Sequence, residues 1–255
     1  MRSAALLLTL VLSGAALGAS EQPYLYQRSA FGADGLERVE IDGAFGSRDA
    51  SLFGEAGYEQ GMRLCYGVGS RLTVELWGGS LLHAGERERV AGAVELLAGV
   101  LDEPEAPIRL SLGVGVARDF RDATVVRLRG IATRGLGSSE LSLNGLAEIP
   151  LGADRDRVDL VVGGAYMTSL RPGLRLGAEL LTRDIEGLWD PNEAEGGARL
   201  AFGPSGWLAL GDQVGVKANV GAVLPLTQNP YRRDGTLVES TGAAFLVRMA
   251  MLYSF

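Results

Sequence analysis

The last eleven residues of the chain alternate between large apolar side chains and a second, mixed set. Arg248 lies in the middle of the mixed set, and the apolar set consists of Phe245, Val247, Met249, Met251, Tyr253 and Phe255. A period of two is that of a β-strand, because successive side chains of a strand point to opposite faces. One face of this strand is apolar along its whole length, and the other face tolerates charge.

Shorter segments with the same alternation recur along the chain. We count twelve, at about residues 39–45, 62–68, 72–76, 90–100, 108–116, 126–129, 141–151, 158–166, 174–180, 200–202, 214–224 and 245–255. An even number of such segments is typical of bacterial membrane barrels. The sequence therefore predicts an all-β fold with a single antiparallel transmembrane β-barrel of about 12 strands. Ten strands and a soluble secreted sandwich are the alternatives.

The links between these segments alternate in length. Four of them are short and rich in turn residues, whereas Arg183–Glu195 and Pro225–Ser240 are longer and polar. Short inner turns and long outer loops are typical of membrane barrels. Gly203–Gln213 breaks this alternation, so either Trp207 anchors there at the membrane interface or a strand is misplaced. The other candidates for interfacial aromatic residues are Tyr24, Tyr26, Tyr58, Trp77, Trp189 and Tyr231.

The N-terminus has the pattern of a secretory signal peptide. Arg2 is followed by a run of about 14 apolar residues, and small residues follow at Gly18 and Ala19. The run is too short for a transmembrane helix, which needs about 20 residues. We predict a signal peptide over residues 1–19, a periplasmic lead-in over 20–37 and an outer-membrane barrel over 38–255.

Composition excludes several classes of function. The net charge of −7 argues against nucleic acid binding, which rests on neutralising phosphates. The single cysteine, Cys65, cannot form an internal disulfide, and the single histidine, His83, cannot build a histidine-rich metal site. Glycine is about twice as frequent as usual, at 37 of 255 residues, which suits strongly curved strands.

The terminal strand resembles the C-terminal signature of Gram-negative outer-membrane β-barrel proteins, in which a terminal aromatic residue follows apolar residues at every second position. Phe255, Tyr253 and Met251 match that signature. The resemblance implies recognition of these residues by the barrel-assembly machinery, and outer-membrane lipid around the folded barrel.

A second, weaker resemblance covers residues 55–79. There Tyr66, Gly67, Arg71 and Leu72 are similar to a hairpin turn of small outer-membrane transporters of the phenol-degradation-associated type. That resemblance implies a passive barrel and carries over no site residue.

Catalytic motifs are weak in this sequence. His83 and Ser80 fall in a predicted loop, Ser80–Arg87, and the sequence lacks the G-x-S-x-G motif. Asp154, Asp156, Asp184 and Glu186 have the pattern of solvated loop charges, and so does an acidic cluster at Asp190, Asn192, Glu193 and Glu195. We therefore predict no enzymatic activity, no cofactor and no metal site. A membrane-embedded hydrolase remains the least favoured alternative.

The alternation also predicts which charged residues face the barrel interior: Glu40, Asp42, Arg63, Arg71, Glu75, Glu95, Arg109, Arg127, Arg129, Glu148, Asp159, Arg175, Glu179, Arg199, Lys217 and Arg248. Arg109, Arg127 and Arg129 fall on neighbouring strands, and guanidinium groups suit carboxylate or phosphate ligands. We predict solute binding at these three and at Arg175, Glu148 and Glu179.

Two functions follow from a charged interior. In the first, the barrel passes or binds a small polar solute, with anions favoured by the arginines. In the second, the charges pair with one another in a closed structural or adhesive barrel whose outer loops make contacts.

Overall fold

The computed structural model describes residues 35–46, 57–69, 71–83, 88–101, 107–120, 122–152, 158–189, 198–227 and 243–255. Strands make up most of these residues: β1 (Gly35–Gly46), β2 (Gly57–Val68), β3 (Leu72–His83), β4 (Arg89–Leu101), β5 (Arg109–Arg118), β6 (Thr124–Leu136), β7 (Ser139–Pro150), β8 (Asp159–Arg171), β9 (Leu174–Arg183), β10 (Arg199–Ala209), β11 (Val214–Pro225) and β12 (Ala244–Ser254). A short 3-10 helix, Ile185–Leu188, follows β9. No helix in the described ranges has the length and hydropathy needed to cross a membrane.

Every strand is antiparallel to the strands that precede and follow it, and β12 closes the sheet by pairing with β1. The closing register joins Arg38 to Ser254 at one end and Gly46 to Leu246 at the other. Closure leaves no edge strand with unpaired backbone groups, as a barrel in lipid requires. The prediction of a single 12-stranded barrel is confirmed, and the ten-stranded alternative is excluded.

The two faces of the sheet are inverted relative to a water-soluble protein. Large apolar side chains such as Val90 and Met251 are 62% and 51% exposed on the outside. Charged side chains such as Glu40 and Lys217 are 3% and 1% exposed on the inside. An apolar outer band with a polar interior suits lipid and would be unstable in water. This inversion argues against the soluble sandwich.

One strand boundary, at the end of the strand that contains Trp207, was predicted wrongly. Strand β10 continues to Ala209, so the link to β11 is a short turn at residues 210–213 and Gly203–Gln213 is not a loop. Glycine and Pro204 obscure the strand because they usually mark turns. The side chain of Asn219 donates to the carbonyl oxygens of Gly203 and Pro204, at 3.2 and 3.1 Å, where the ladder to β11 is interrupted.

Three smaller predictions were also wrong. Strand β3 continues to His83, so the predicted loop Ser80–Arg87 begins too early, and Ser80 accepts a hydrogen bond from Gln60 within the sheet. Arg71 lies in the turn before β3 and is exposed, not inside the barrel. Asp184 is buried at 2% exposure, not solvated.

Several predictions lie outside the described residues. They include the signal peptide, most of the lead-in, the acidic cluster Asp190–Glu195, and Asp154 and Asp156. The division of the chain into leader, lead-in and barrel stays a prediction, with β1 beginning at Gly35.

Candidate functional site

One side of the interior is filled by buried ions, which we call the seam cluster: Arg38, Glu40, Asp42, Arg63, Glu75 and Lys217. Glu40 lies at its centre, with Lys217 Nζ at 2.6 Å and Arg63 Nη1 at 2.8 Å from its two carboxylate oxygens. Glu75 adds longer ion pairs to Arg63, at 3.7 Å, and to Arg38, at 3.8 Å.

The seam cluster is deeply buried and electrically neutral. Its six residues are between 1% and 6% exposed. Three cations balance three carboxylates, so the group satisfies the requirement that buried charge be paired. Cys65 lies beside it, fully buried, with its thiol donating to Glu75 Oε1 at 3.5 Å. We infer that this side of the barrel is closed by its own side chains.

The opposite side is more open and is organised by Glu148. Arg127 binds one oxygen of this carboxylate through Nε and Nη2, at 2.8 and 2.7 Å. Arg183 Nη2 lies 3.4 Å from the other oxygen. The carboxylate is 3% exposed, whereas the side chains of Arg127 and Arg183 are 20% and 24% exposed. One carboxylate thus holds two partly exposed guanidinium groups.

The three predicted binding arginines do not form one cluster. Arg129 pairs with Glu95, to which it donates from Nε and from Nη2, the latter at 3.1 Å. Arg109 pairs with Glu140 at 2.6 Å and lies opposite Thr133, near the end of β6. Arg127 and Arg129 are brought together, and Arg109 is separated from them along the barrel axis.

The remaining predicted residues have other positions. Arg175 and Glu179 are on β9, outside the set of described residues that line the cavity defined below. Tyr253 and Phe255 pack edge to face at 4.9 Å, and Met251 is half exposed on the outer surface. The solute-binding and assembly roles of these residues stay predictions.

A cavity of about 170 Å³ lies in the interior between the two sides. Among described residues, five arginines and three glutamates contribute to its lining, which consists of Arg63, Glu75, Trp77, Ala93, Glu95, Arg127, Arg129, Leu146, Glu148, Val161, Leu181, Arg183 and Arg248. The sequence reasoning missed one charged residue of this lining, Arg183, and its aromatic residue, Trp77. Arg183 continues the inward alternation of β9, which could have identified it, whereas Trp77 was a candidate for the membrane interface.

A further acidic group lies at the end of the barrel that carries the 3-10 helix. Asp159, Asp184 and Glu186 each bring one carboxylate oxygen within 4.8 Å of the others. The backbone N–H of Leu160 donates to Glu186 Oε2 at 2.9 Å. Carboxylates at this spacing are the kind of ligands that a hard cation such as Ca²⁺ takes.

The sequence matches no protein-family model and no curated protein. Solved structures do match. An outer-membrane channel from Pseudomonas putida F1 aligns with a TM-score of 0.61 at 14% identity, over 91% of this chain and 100% of that one. The NanC porin aligns with a TM-score of 0.59 at 7% identity, over 85% and 100%. The KdgM porin in complex with disordered oligogalacturonate aligns with a TM-score of 0.55 at 8% identity, over 86% and 99%. The chain therefore has the fold of outer-membrane porins and channels.

Proposed function

We propose that this protein is an outer-membrane channel that passes or binds a small anionic solute. The observation that carries the proposal is the lining of the interior cavity, in which five arginines face three glutamates among described residues. Outer-membrane lipid surrounds the apolar outer band, and the barrel-assembly machinery recognises the end of β12 at Phe255. No catalytic step is part of the proposal.

The positive charge of the cavity lining includes two arginines that share one carboxylate, Glu148. This carboxylate neutralises one unit of charge, yet both Arg127 and Arg183 bind it. Fixed charges in a narrow, water-filled lumen set ion selectivity through their field. Guanidinium groups also offer paired donors that match carboxylate and phosphate geometry. An anion entering the cavity therefore meets a favourable potential and suitable donors.

The path through the barrel is off-centre in this proposal. The seam cluster fills the side formed by β1, β2, β3 and β11, where its side chains are almost inaccessible. The partly exposed arginines belong to β6 and β9 on the other side. The solute would pass along the second side, and the seam cluster would act as a fixed wall.

A closed structural or adhesive barrel is the second candidate. The burial of the seam cluster favours it, because the same kind of pairing extended across the lumen would exclude solvent. The two candidates differ in conductance: a closed barrel passes no current, and its function would reside in the outer loops.

The test is single-channel current across a planar bilayer, with the reversal potential measured under a salt gradient. The test variant is Arg127→Gln/Arg183→Gln, and the matched control is Arg134→Gln on β6, whose exposed side chain lies on the same outward face as Leu128. We expect anion preference in the native protein and in the control, and a reversal potential close to zero in the test variant.

Two results would contradict the proposal. Silence from a protein whose folding has been verified would favour the closed barrel. An unchanged reversal potential in the double variant would remove Arg127 and Arg183 from the selectivity site. The hydrolase alternative is tested separately: lipid hydrolysis that disappears in His83→Ala would revive it.

A further inference from the structure

An aromatic pair lies in the interior, three strands along the wall from Arg127. Trp77 on β3 lines the cavity, and Phe120, just after β5, packs edge to face against it with ring centroids 5.9 Å apart. Aromatic rings inside a membrane barrel cannot serve the outer lipid interface. The proposed charge selectivity does not use them.

The wall beneath Trp77 is shaped to hold its indole ring. A Cβ atom at Gly61 would lie 2.8 Å from Trp77 Nε1, and one at Gly79 would lie 2.8 Å from Trp77 Cζ2. Both distances are shorter than carbon atoms tolerate, so only glycine at these positions lets the ring lie across the wall. The indole therefore packs one side on the sheet and presents the other to the cavity.

The loop that carries Phe120 is held by its own hydrogen bonds. Asp119 N donates to Ala123 O at 3.0 Å, and Ala123 N donates back to Asp119 Oδ1 at 2.9 Å. Arg118 donates to Asp122 Oδ1 through Nε and Nη2, at 3.0 and 2.9 Å. These bonds fix the short loop and position Phe120 over Trp77.

Small residues separate the aromatic pair from the arginines. Trp77 lies opposite Ala93, Ala93 opposite Ala117, and Ala117 opposite Val125, which precedes Arg127 by two residues on β6. Three strand spacings of about 4.8 Å place the backbones of β3 and β6 roughly 14 Å apart along the wall. Ala93 and Ala117 are thus small residues on the wall between Trp77 and β6, and Ala93 borders the cavity of about 170 Å³.

Arg129 extends toward β4, the strand that pairs with the strand of Trp77. Its guanidinium reaches across β5 to Glu95 on β4, the strand next to Trp77. Gly113 lies beneath this crossing, where a Cβ atom would be 3.1 Å from Glu95 Oε1 and 3.2 Å from Arg129 Cβ. Glu95 thus holds the Arg129 guanidinium at β4, the strand next to β3 and Trp77.

We propose that Trp77 and Phe120 form the apolar half of a solute site whose charged half is Arg127 and Arg129, and that this site takes a carboxylate attached to a ring with an apolar face. The inference rests on the proposed anion channel and narrows its solute class. The ring packs on Trp77, while the carboxylate reaches the guanidinium groups. An aromatic acid and a sugar acid both have this chemistry, because a pyranose ring also has an apolar face.

The experiment measures equilibrium binding by calorimetry to the detergent-purified full-length mature chain at constant ionic strength. The probes are acetate, benzoate and galacturonate, which all carry a carboxylate. Acetate has no ring, benzoate has an aromatic ring and galacturonate has a sugar ring. The test variants are Trp77→Leu and Phe120→Leu. The matched controls are Trp189→Leu and Phe202→Leu, whose side chains are 64% and 44% exposed on the outside. Circular dichroism checks that every variant retains its strands.

We expect benzoate, galacturonate or both to bind more tightly than acetate. Each test variant should weaken binding of the ring-bearing anion by about two- to tenfold, the range for one aromatic contact, and leave the affinity for acetate unchanged. Binding of benzoate alone identifies an aromatic acid, and binding of galacturonate identifies a sugar acid.

Equal affinity for all three anions, or an equal loss for all three in Trp77→Leu, would overturn the aromatic half of the site. The reversal potential distinguishes the two proposals in that case. Anion preference without ring dependence leaves the channel proposal intact and removes only this inference. Absence of both binding and anion preference rejects the two together.

Discussion

Replacement of Glu40 with glutamine removes the central charge of the seam cluster. The carboxylate accepts from Lys217 and Arg63 at 2.6 and 2.8 Å, and all three side chains are no more than 6% exposed. An amide has one acceptor oxygen and turns its NH₂ group toward the other cation. The cluster then carries a net charge of +1 in a buried position.

We expect Glu40→Gln to lower the free energy of unfolding by about 3 to 5 kcal/mol, the usual cost of breaking a buried ion pair by removing one partner. Lys217→Met alone should cost a similar amount. The double variant leaves Arg38 and Arg63 against Asp42 and Glu75, so neutrality is restored. Its cost should fall short of the sum of the single costs by about 1 to 3 kcal/mol.

The assay is urea unfolding in lipid vesicles, followed by tryptophan fluorescence. The matched control is Glu140→Gln, which breaks a 2.6 Å pair with Arg109 in which the side chains are 20% and 30% exposed. Solvent screens that pair, so its loss should cost about 1 kcal/mol or less. The reasoning fails if Glu40→Gln costs no more than the control, or if the double variant is additive.

Three further predictions concern the interior. Glu148→Gln leaves two lumen arginines without their shared carboxylate, so anion preference in the reversal potential should rise; a shift toward cations would contradict this. Gly79→Ala should lower the free energy of unfolding by about 1 to 3 kcal/mol, measured as a lower thermal midpoint, because the new Cβ would lie 2.8 Å from a backbone oxygen. Gly145→Ala, whose new Cβ would have nothing within 4 Å, should leave the midpoint nearly unchanged. Trp207→Ala should cost about 3 to 5 kcal/mol in urea unfolding because the side chain is 2% exposed, and Trp189→Ala, at 64% exposure, should cost much less. Equal costs would contradict this argument from burial.

The architecture was predictable because a membrane barrel imposes a period of two on every strand. The alternation in β12 identified the lipid-facing set, and the count of similar segments gave twelve strands. The end of β10 was not predictable from the same rule, because Gly203 and Pro204 interrupt the pattern where Asn219 replaces the missing ladder bonds.

The interior site was predictable only in part, because alternation gives the face of a residue and not its partner across the sheet. Parity placed Arg127 and Arg129 inside correctly. Their partners depend on the register of distant strands: Glu95 is 34 residues from Arg129 in sequence. The sequence therefore predicted a charged lumen. It did not show which glutamates pair with which arginines, or that Arg109 lies away from the other two.

The seam cluster also has a consequence for the order of folding. Glu40 and Lys217 are 177 residues apart, and they lie on β1 and β11 with β12 between them. Their ion pair can form only after the first strand has met the last, so it contributes nothing to a partly assembled sheet. Contacts of such long sequence range form slowly and late. The ion pairs among β1, β2 and β3 can form earlier, but they leave one carboxylate in excess until Lys217 arrives. Neutralisation of the seam cluster and closure of the barrel are thus completed in one step, and an open sheet with all twelve strands paired in order would still hold one unmatched charge on each side of the gap.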